Sequence, residues 1–152
     1  MKKVITLVGV LVCFFVFVVV CPGYAIHAGA MNWAYLCTSD DGSVFYYDMG
    51  NIKTSDGIVR TWIKDILSEE SRNELIVESD YAEWVPRAHH AVHYAEINCR
   101  ENKVRALEMT FYDVNGKYLY VCSDDDLHTW EPLSPSSVAD SWREKLCPAA
   151  KK

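Results

Sequence analysis

Between residues 32 and 122 the chain is a succession of short runs rich in alternating apolar and aromatic residues, each ended by a turn sequence. The runs are Asn32–Ser39, Val44–Asp48, Ile58–Lys64, Ala91–Arg100, Lys103–Tyr112 and Lys117–Cys122. An alternation of period two is typical of strands with one buried face. The connections Glu101–Asn102 and Asp113–Gly116, the second containing Asn-Gly, are so short that the strands they join must be antiparallel. We therefore expect an antiparallel sheet of about six strands.

A helix is predicted at the end of the chain. Ser137–Asp140 resembles a capping box, and Val138, Trp142 and Leu146 recur on one helical face. Pro148 disfavours helical geometry at the residue before it, so the helix should end there. The fold class is therefore α+β, with the C-terminal helix packed on one face of the sheet. The stretch 65–88 is expected to be a long connection with one or two helical turns after Ser68.

The first thirty residues resemble a secretory signal. Lys2 and Lys3 precede the uncharged apolar run Val4–Val20, and small residues lead to a cleavage site after Ala30. An uncleaved membrane anchor and a lipid attached to Cys21 are alternatives, in that order. We expect an exported protein in the periplasm or at the cell surface of a bacterium.

Residues 31–152 would then form one domain of 152 − 30 = 122 residues. Its 13 Lys and Arg against 21 Asp and Glu give a net charge of −8. An acidic chain without basic blocks argues against binding nucleic acid.

Four cysteines remain after the leader, which suggests two disulfides. Turns of even length place Cys99 and Cys122 on opposite faces and two strand spacings apart, about 9.6 Å, too far for a disulfide. Because Cys147 ends the helix expected over the Cys99 face, we predict the pairs Cys99–Cys147 and Cys37–Cys122.

One helix cannot cover both faces of a sheet. The same turn lengths place a set of large side chains on the uncovered face, and we predict a binding surface there: Tyr94, Met109, Phe111, Tyr118 and Tyr120. In the alternative interpretation, the 65–88 connection folds over this face and buries it as core.

Catalytic motifs such as GxSxG, HExxH or a P-loop do not occur, so the sequence does not predict an enzyme. His89, His90 and His93 are candidate ligands of a transition metal or haem. On a regular strand, however, His90 would point away from the other two.

Several short motifs occur in a fixed order: Trp33, Val44–Asp48, Val59–Trp62, Glu96–Cys99, Tyr112–Gly116, Trp130–Pro132, Pro135–Ser137 and Cys147. In this order the chain resembles the surface-adhesin protein E-like domain family over nearly all of residues 31–152. The resemblance implies an antiparallel sheet with a C-terminal helix, joined by Cys99–Cys147. It also implies a bacterial surface protein that binds host matrix proteins, can dimerise and has been linked to haem.

We therefore expect a non-enzymatic, adhesin-like binding module. It would hold a protein partner, or a second copy of itself, through the aromatic face or through the loop 84–93. The alternative is a haem- or metal-binding accessory protein of the cell envelope.

Overall fold

The computed structural model describes residues 31–78, 82–122 and 128–147. These all belong to one compact unit, residues 31–152. The predicted signal peptide, anchor and lipidated Cys21 lie outside the described residues. Within the described ranges, no helix is both long and apolar enough to cross a membrane.

Within the described residues, eight strands form a single antiparallel sheet, and two α-helices accompany it. The strands are β1 (Trp33–Thr38), β2 (Val44–Asp48), β3 (Lys53–Ser55), β4 (Ile58–Ile66), β5 (His90–Asn98), β6 (Lys103–Tyr112), β7 (Tyr118–Cys122) and β8 (Glu131–Pro132). The helices are α1 (Glu69–Glu78) and α2 (Val138–Leu146). The main sheet order is β1-β2-β4-β5-β6-β7, with β3 beside β4 and β8 beside β6. The predicted fold class is thus confirmed, and the short β3 and β8 and the full length of α1 are additions to it.

Helix α2 covers one end of the sheet. The Ser137 side chain accepts a hydrogen bond from the backbone N–H of Asp140, which caps the helix as the sequence predicts. Trp142 is buried in the main core, against Phe45 at a centroid distance of 5.7 Å. The predicted Cys99–Cys147 disulfide is present and ties the residue after β5 to the residue after α2.

Helix α1 and the segment after it cover the other end of the same face. The Ser68 hydroxyl accepts from the backbone N–H of Ser71 and caps α1. Leu75 and Trp84 pack against a second core cluster that contains Phe111. Both helices therefore lie on one side of the sheet.

A β-bulge corrects the predicted distribution of side chains between the two faces. Ala95 pairs with Ala106, but Tyr94 pairs with Glu108, so Leu107 is an extra residue in β6. Beyond this point every side chain of β6 changes face. Met109, Phe111 and Tyr120, which pairs with Phe111, therefore lie on the helix-covered side, and their placement on the uncovered face was wrong.

The predicted Cys37–Cys122 disulfide was also wrong, since both thiols are free. Cys37 packs against the main core near Trp142, while Cys122 pairs with Met109 at the end of β7. Burial raises the pKa of the Cys37 thiol, an effect that the Trp142 side chain partly offsets. Such a thiol is mostly protonated at neutral pH and weakly reactive.

Candidate functional site

The side of the sheet away from both helices carries large aromatic and cationic side chains. We call it the open face and define it by eight residues that the strand register places in three cross-strand rows: Tyr35, Tyr46 and Lys64; Trp62 and Tyr94; Arg60, Glu96 and Arg105. Neighbours in such rows are about 4.5–5.5 Å apart at Cβ and interact directly. The open face is thus a continuous surface across the strands.

The first row is organised around a lysine. The ammonium group of Lys64 lies 4.9 Å from the ring centre of Trp33 and 5.2 Å from that of Tyr46. Both distances allow a cation–π interaction. Tyr35 packs edge-on against Tyr46, at a centroid distance of 6.2 Å, and is itself 56% exposed. Partial burial lowers the pKa of Lys64.

The second row is a pair of aromatic rings. Trp62 and Tyr94 pair directly across β4 and β5, and their ring centroids lie 5.0 Å apart in a tilted arrangement. Both side chains are partly exposed. Together they form an aromatic pair across the two adjacent strands β4 and β5.

The third row is an ion network with a buried carboxylate at its centre. Glu96, which is 3% exposed, is held by the guanidinium groups of Arg60 and Arg105, the latter at 2.6 Å from Nη2 to Oε2. Burial would raise the pKa of Glu96, but the hydrogen bonds from the two arginines hold it below its usual range. Arg105 also lies over the ring of Trp130, 4.4 Å from its centre. Two cations therefore flank one carboxylate in this row, and Glu108, opposite Tyr94, adds an exposed carboxylate in the neighbouring row.

The structure separates the five predicted binding residues. Tyr94 lies on the open face, while Met109 and Phe111 lie under α1. Tyr120 stacks on Trp84 at a centroid distance of 4.9 Å and remains 40% exposed, and Tyr118 is 54% exposed in β7. Whether any of them contacts a partner stays a prediction.

The loop 84–93 is tied to the body of the domain. Trp84 packs on Phe111 as well as on Tyr120, and Val85 and Ala88 are fully or almost fully buried. Pro86 and Arg87 are exposed. Most of this loop therefore serves as the cover of the second core cluster.

The three candidate histidines are not brought together. His89 and His90 are adjacent, with their Nδ1 atoms 3.4 Å apart, and His90 stacks on Tyr112. His93 points to the helix-covered side, where its ring lies 5.4 Å from that of Trp142. The part of the chain that the structure describes contains no group of three or more metal-ligating side chains.

Sequence reasoning missed most of the open face, although one signal for it is present. Arg60, Trp62 and Lys64 alternate with apolar or small residues along β4. Large aromatic and cationic residues at every second position of a strand indicate an exposed strand face.

Comparisons with known proteins found one family and several solved structures to which this chain is similar. Residues 33–148 match the sequence profile of a family described as surface-adhesin protein E. Among solved structures, Haemophilus influenzae protein E shares 16% identity, with 78% of this chain and 86% of that chain covered and a TM-score of 0.49. Protein E from non-typeable Haemophilus influenzae shares 13% identity, with 78% and 76% covered and a TM-score of 0.44. None of the curated proteins matches this chain.

Proposed function

Because this chain belongs to the surface-adhesin protein E family, we propose that it is a non-enzymatic, adhesin-like protein of the cell surface that holds a protein partner on its open face. The observation that supports this most is the set of partly exposed Trp, Tyr and Arg side chains on a sheet face that neither helix covers. These three residue types are the ones enriched at the energetic centres of protein interfaces.

The charge of the open face favours an acidic partner segment. Lys64, Arg60 and Arg105 outnumber Glu96 and the exposed Glu108, which pairs with Tyr94, in a chain whose net charge is −6. The arginines are already oriented by Glu96, which reduces the entropy lost when they bind a carboxylate. We expect the affinity to fall as the salt concentration rises.

Two matched tyrosines test the location of the site. Tyr35 and Tyr118 have nearly equal exposure, 56% and 54%, but Tyr118 lies on the outer strand β7, outside the three rows that define the open face. Residues 31–152 and the variants Tyr35→Ser, Trp62→Ala and Tyr118→Ser would be measured by surface plasmon resonance against immobilised extracellular-matrix proteins. Tyr35→Ser and Trp62→Ala should each weaken binding about tenfold, an ordinary loss for an interface anchor.

The Tyr118→Ser variant should bind like the wild type. Equal affinities for the wild type and both open-face variants would contradict the proposal. A loss confined to Tyr118→Ser would move the site to the β7 edge.

A second candidate function is transition-metal binding, and the closeness of His89 and His90 favours it. Their Nδ1 atoms are 3.4 Å apart, so two imidazoles could share one ion after a small ring rotation. Partial burial, together with the nearby His89 and Lys64, lowers the pKa of His90, which keeps the ring neutral as a metal ligand must be. Titration calorimetry with Zn²⁺ tests this function: loss of heat in His89→Ala supports it, and equal heats in both proteins exclude it.

A further inference from the structure

The helix-covered side of the sheet contains two adjoining cavities that the proposed adhesive function does not use. The larger, about 420 Å³, lies between the sheet and α2, and the smaller, about 210 Å³, lies between the sheet and α1. His93 and Met109 line both. The larger cavity exists because alanines stand where core residues are usually larger, at Ala95, Ala106 and Ala139. Its volume is within the range of small-molecule sites, roughly 300–1,000 Å³.

The cavities contain polar atoms without partners. His93 is buried, with 7% of the residue exposed, and its Nε2 has no hydrogen-bond partner among the described residues. Oδ1 of Asp65, which lines the smaller cavity, is also buried and unpaired within the described ranges. A buried polar atom left without a partner costs about 1–3 kcal/mol, so native proteins rarely keep one without a use. Two of them at adjoining cavities indicate a ligand that supplies the missing hydrogen bonds.

We propose that these cavities bind a neutral amphiphile, a molecule with an acyl or aromatic body and a hydroxyl or amide end, and that the polar end hydrogen-bonds to His93. The apolar body would lie along Ala106 and Trp142 in the larger cavity. The cavities lie on the helix-covered side of the sheet and the open face lies on the other side, so Arg105 is the one residue that the two sites share.

The charges around the cavities favour a neutral polar end over an anionic one. The smaller cavity is lined by the carboxyl groups of Asp65 and Glu74 and by no basic side chain other than the imidazole. His93 is uncharged at neutral pH, because burial lowers its pKa to about 4. On the side of the smaller cavity a carboxylate bonded to His93 would therefore meet two acidic groups, and Arg105, which lines the larger cavity, is already paired with Glu96. A hydroxyl can both donate and accept a hydrogen bond in such an environment.

Binding can be measured with a fluorescent probe. Residues 31–152 would be titrated with N-phenyl-1-naphthylamine, and the bound probe displaced with 1-dodecanol or with dodecanoate at neutral pH. We expect saturable binding at one site and displacement by the alcohol at lower concentration than by the carboxylate. If the probe does not bind saturably up to its solubility limit, the proposal is wrong and the cavities hold only water. If dodecanoate displaces the probe at lower concentration than dodecanol, the ligand's polar end is not neutral.

Three variants locate the site. Ala106→Leu fills the larger cavity and should abolish the fluorescence increase; should it not fold, Ala139→Leu fills the cavity from the helix side with the same expected loss. His93→Phe keeps the ring but removes the nitrogen, and should weaken dodecanol binding about tenfold, the equivalent of one hydrogen bond. Val114→Leu, on an exposed turn, is the control and should bind like the wild type. Unchanged binding in the cavity-filling variants would contradict the location of the site. Unchanged binding in His93→Phe would contradict the hydrogen bond to His93.

Discussion

Tyr94 lies opposite Glu108 across β5 and β6, whereas its neighbour Ala95 lies opposite Ala106. The unpaired Leu107 between them shifts the register by one residue, so it decides which side chains face the helices. Because of this bulge, Phe111 is core and Tyr94 is surface, although uninterrupted pairing would place the two on one face.

Replacement of Phe111 tests this register directly. Phe111 is 6% exposed and packs with Trp84 at a centroid distance of 4.7 Å, so Phe111→Ala should lower the free energy of unfolding by about 3–5 kcal/mol. Tyr118→Ala, at an exposed position of β7, should change it by no more than about 0.5 kcal/mol. Urea denaturation followed by circular dichroism gives both values. Similar small losses in the two variants would mean that Phe111 is not under α1.

The Cys99–Cys147 disulfide should contribute a large part of the stability. The two cysteines are 48 residues apart, for which the chain-entropy estimate is about 4 kcal/mol. The double variant Cys99→Ser/Cys147→Ser should therefore unfold at much lower urea concentration than the wild type. Cys37→Ser is the control, since Cys37 is a free thiol, and its loss should be about 1 kcal/mol or less. A greater loss in Cys37→Ser than in the double variant would contradict this pairing.

Asp65 should make the folded state less stable as the pH rises. Burial, and secondarily the charge of Asp41, raise the pKa of Asp65 to about 7 from an ordinary 3.8. Between these two values the folded state keeps a proton that the unfolded chain has lost, so the free energy of unfolding falls with increasing pH. Asp65→Asn removes this effect, and its stability relative to the wild type should rise by up to about 4 kcal/mol from pH 4 to pH 7. A difference that is constant with pH would show that Asp65 titrates normally.

His93 should act in the opposite direction. Burial lowers its pKa to about 4 from 6.5, so below pH 6.5 the unfolded chain binds a proton that the folded state excludes. Stability is therefore lost as the pH falls from 6.5 towards 4, by up to about 3 kcal/mol. His93→Phe should lose this acid sensitivity, as measured by thermal unfolding across that range. If the variant loses as much stability between pH 6.5 and pH 4 as the wild type does, His93 is not the cause of the acid sensitivity.

Glu96 should be needed to hold the two arginines of the open face. Glu96→Gln leaves Arg60 and Arg105 without their shared carboxylate, and because both arginines are partly exposed, we expect a loss of about 1–3 kcal/mol. Glu101→Gln is the matched control, since the Glu101–Lys103 pair is exposed, and should change stability by about 1 kcal/mol or less. Equal effects in the two variants would argue against a special role for the buried carboxylate.

The parts of the fold that the sequence predicted are those set by neighbouring residues. The cap at Ser137, the recurrence of Val138 and Trp142, and Pro148 after the last turn are local, and they define α2. Helix α1 has no comparable apolar stripe. It is positioned by long-range contacts, in which Asp41 accepts hydrogen bonds from Ser68 and Ser71. Contacts between residues so far apart along the chain leave no periodic signal.

The open face was only partly predictable, because its composition also depends on pairing between residues far apart along the chain. Turn lengths correctly placed Ala95 and Ala106 on one face and Tyr94 on the other, up to the bulge. The bulge at Leu107 carries no glycine or other local mark in the sequence, and so its effect on Met109 and Phe111 could not be anticipated.

Hydroxyl-radical footprinting of residues 31–152, free and bound to the matrix protein that binds it most tightly, tests the adhesive surface most directly. Protection of Tyr35, Trp62 and Tyr94 on binding, with Tyr118 and Tyr120 unchanged, is the result that we predict for a partner held on the open face. Protection of Tyr118, Tyr120 and Trp84, with unchanged labelling of Trp62 and Tyr94, would contradict it.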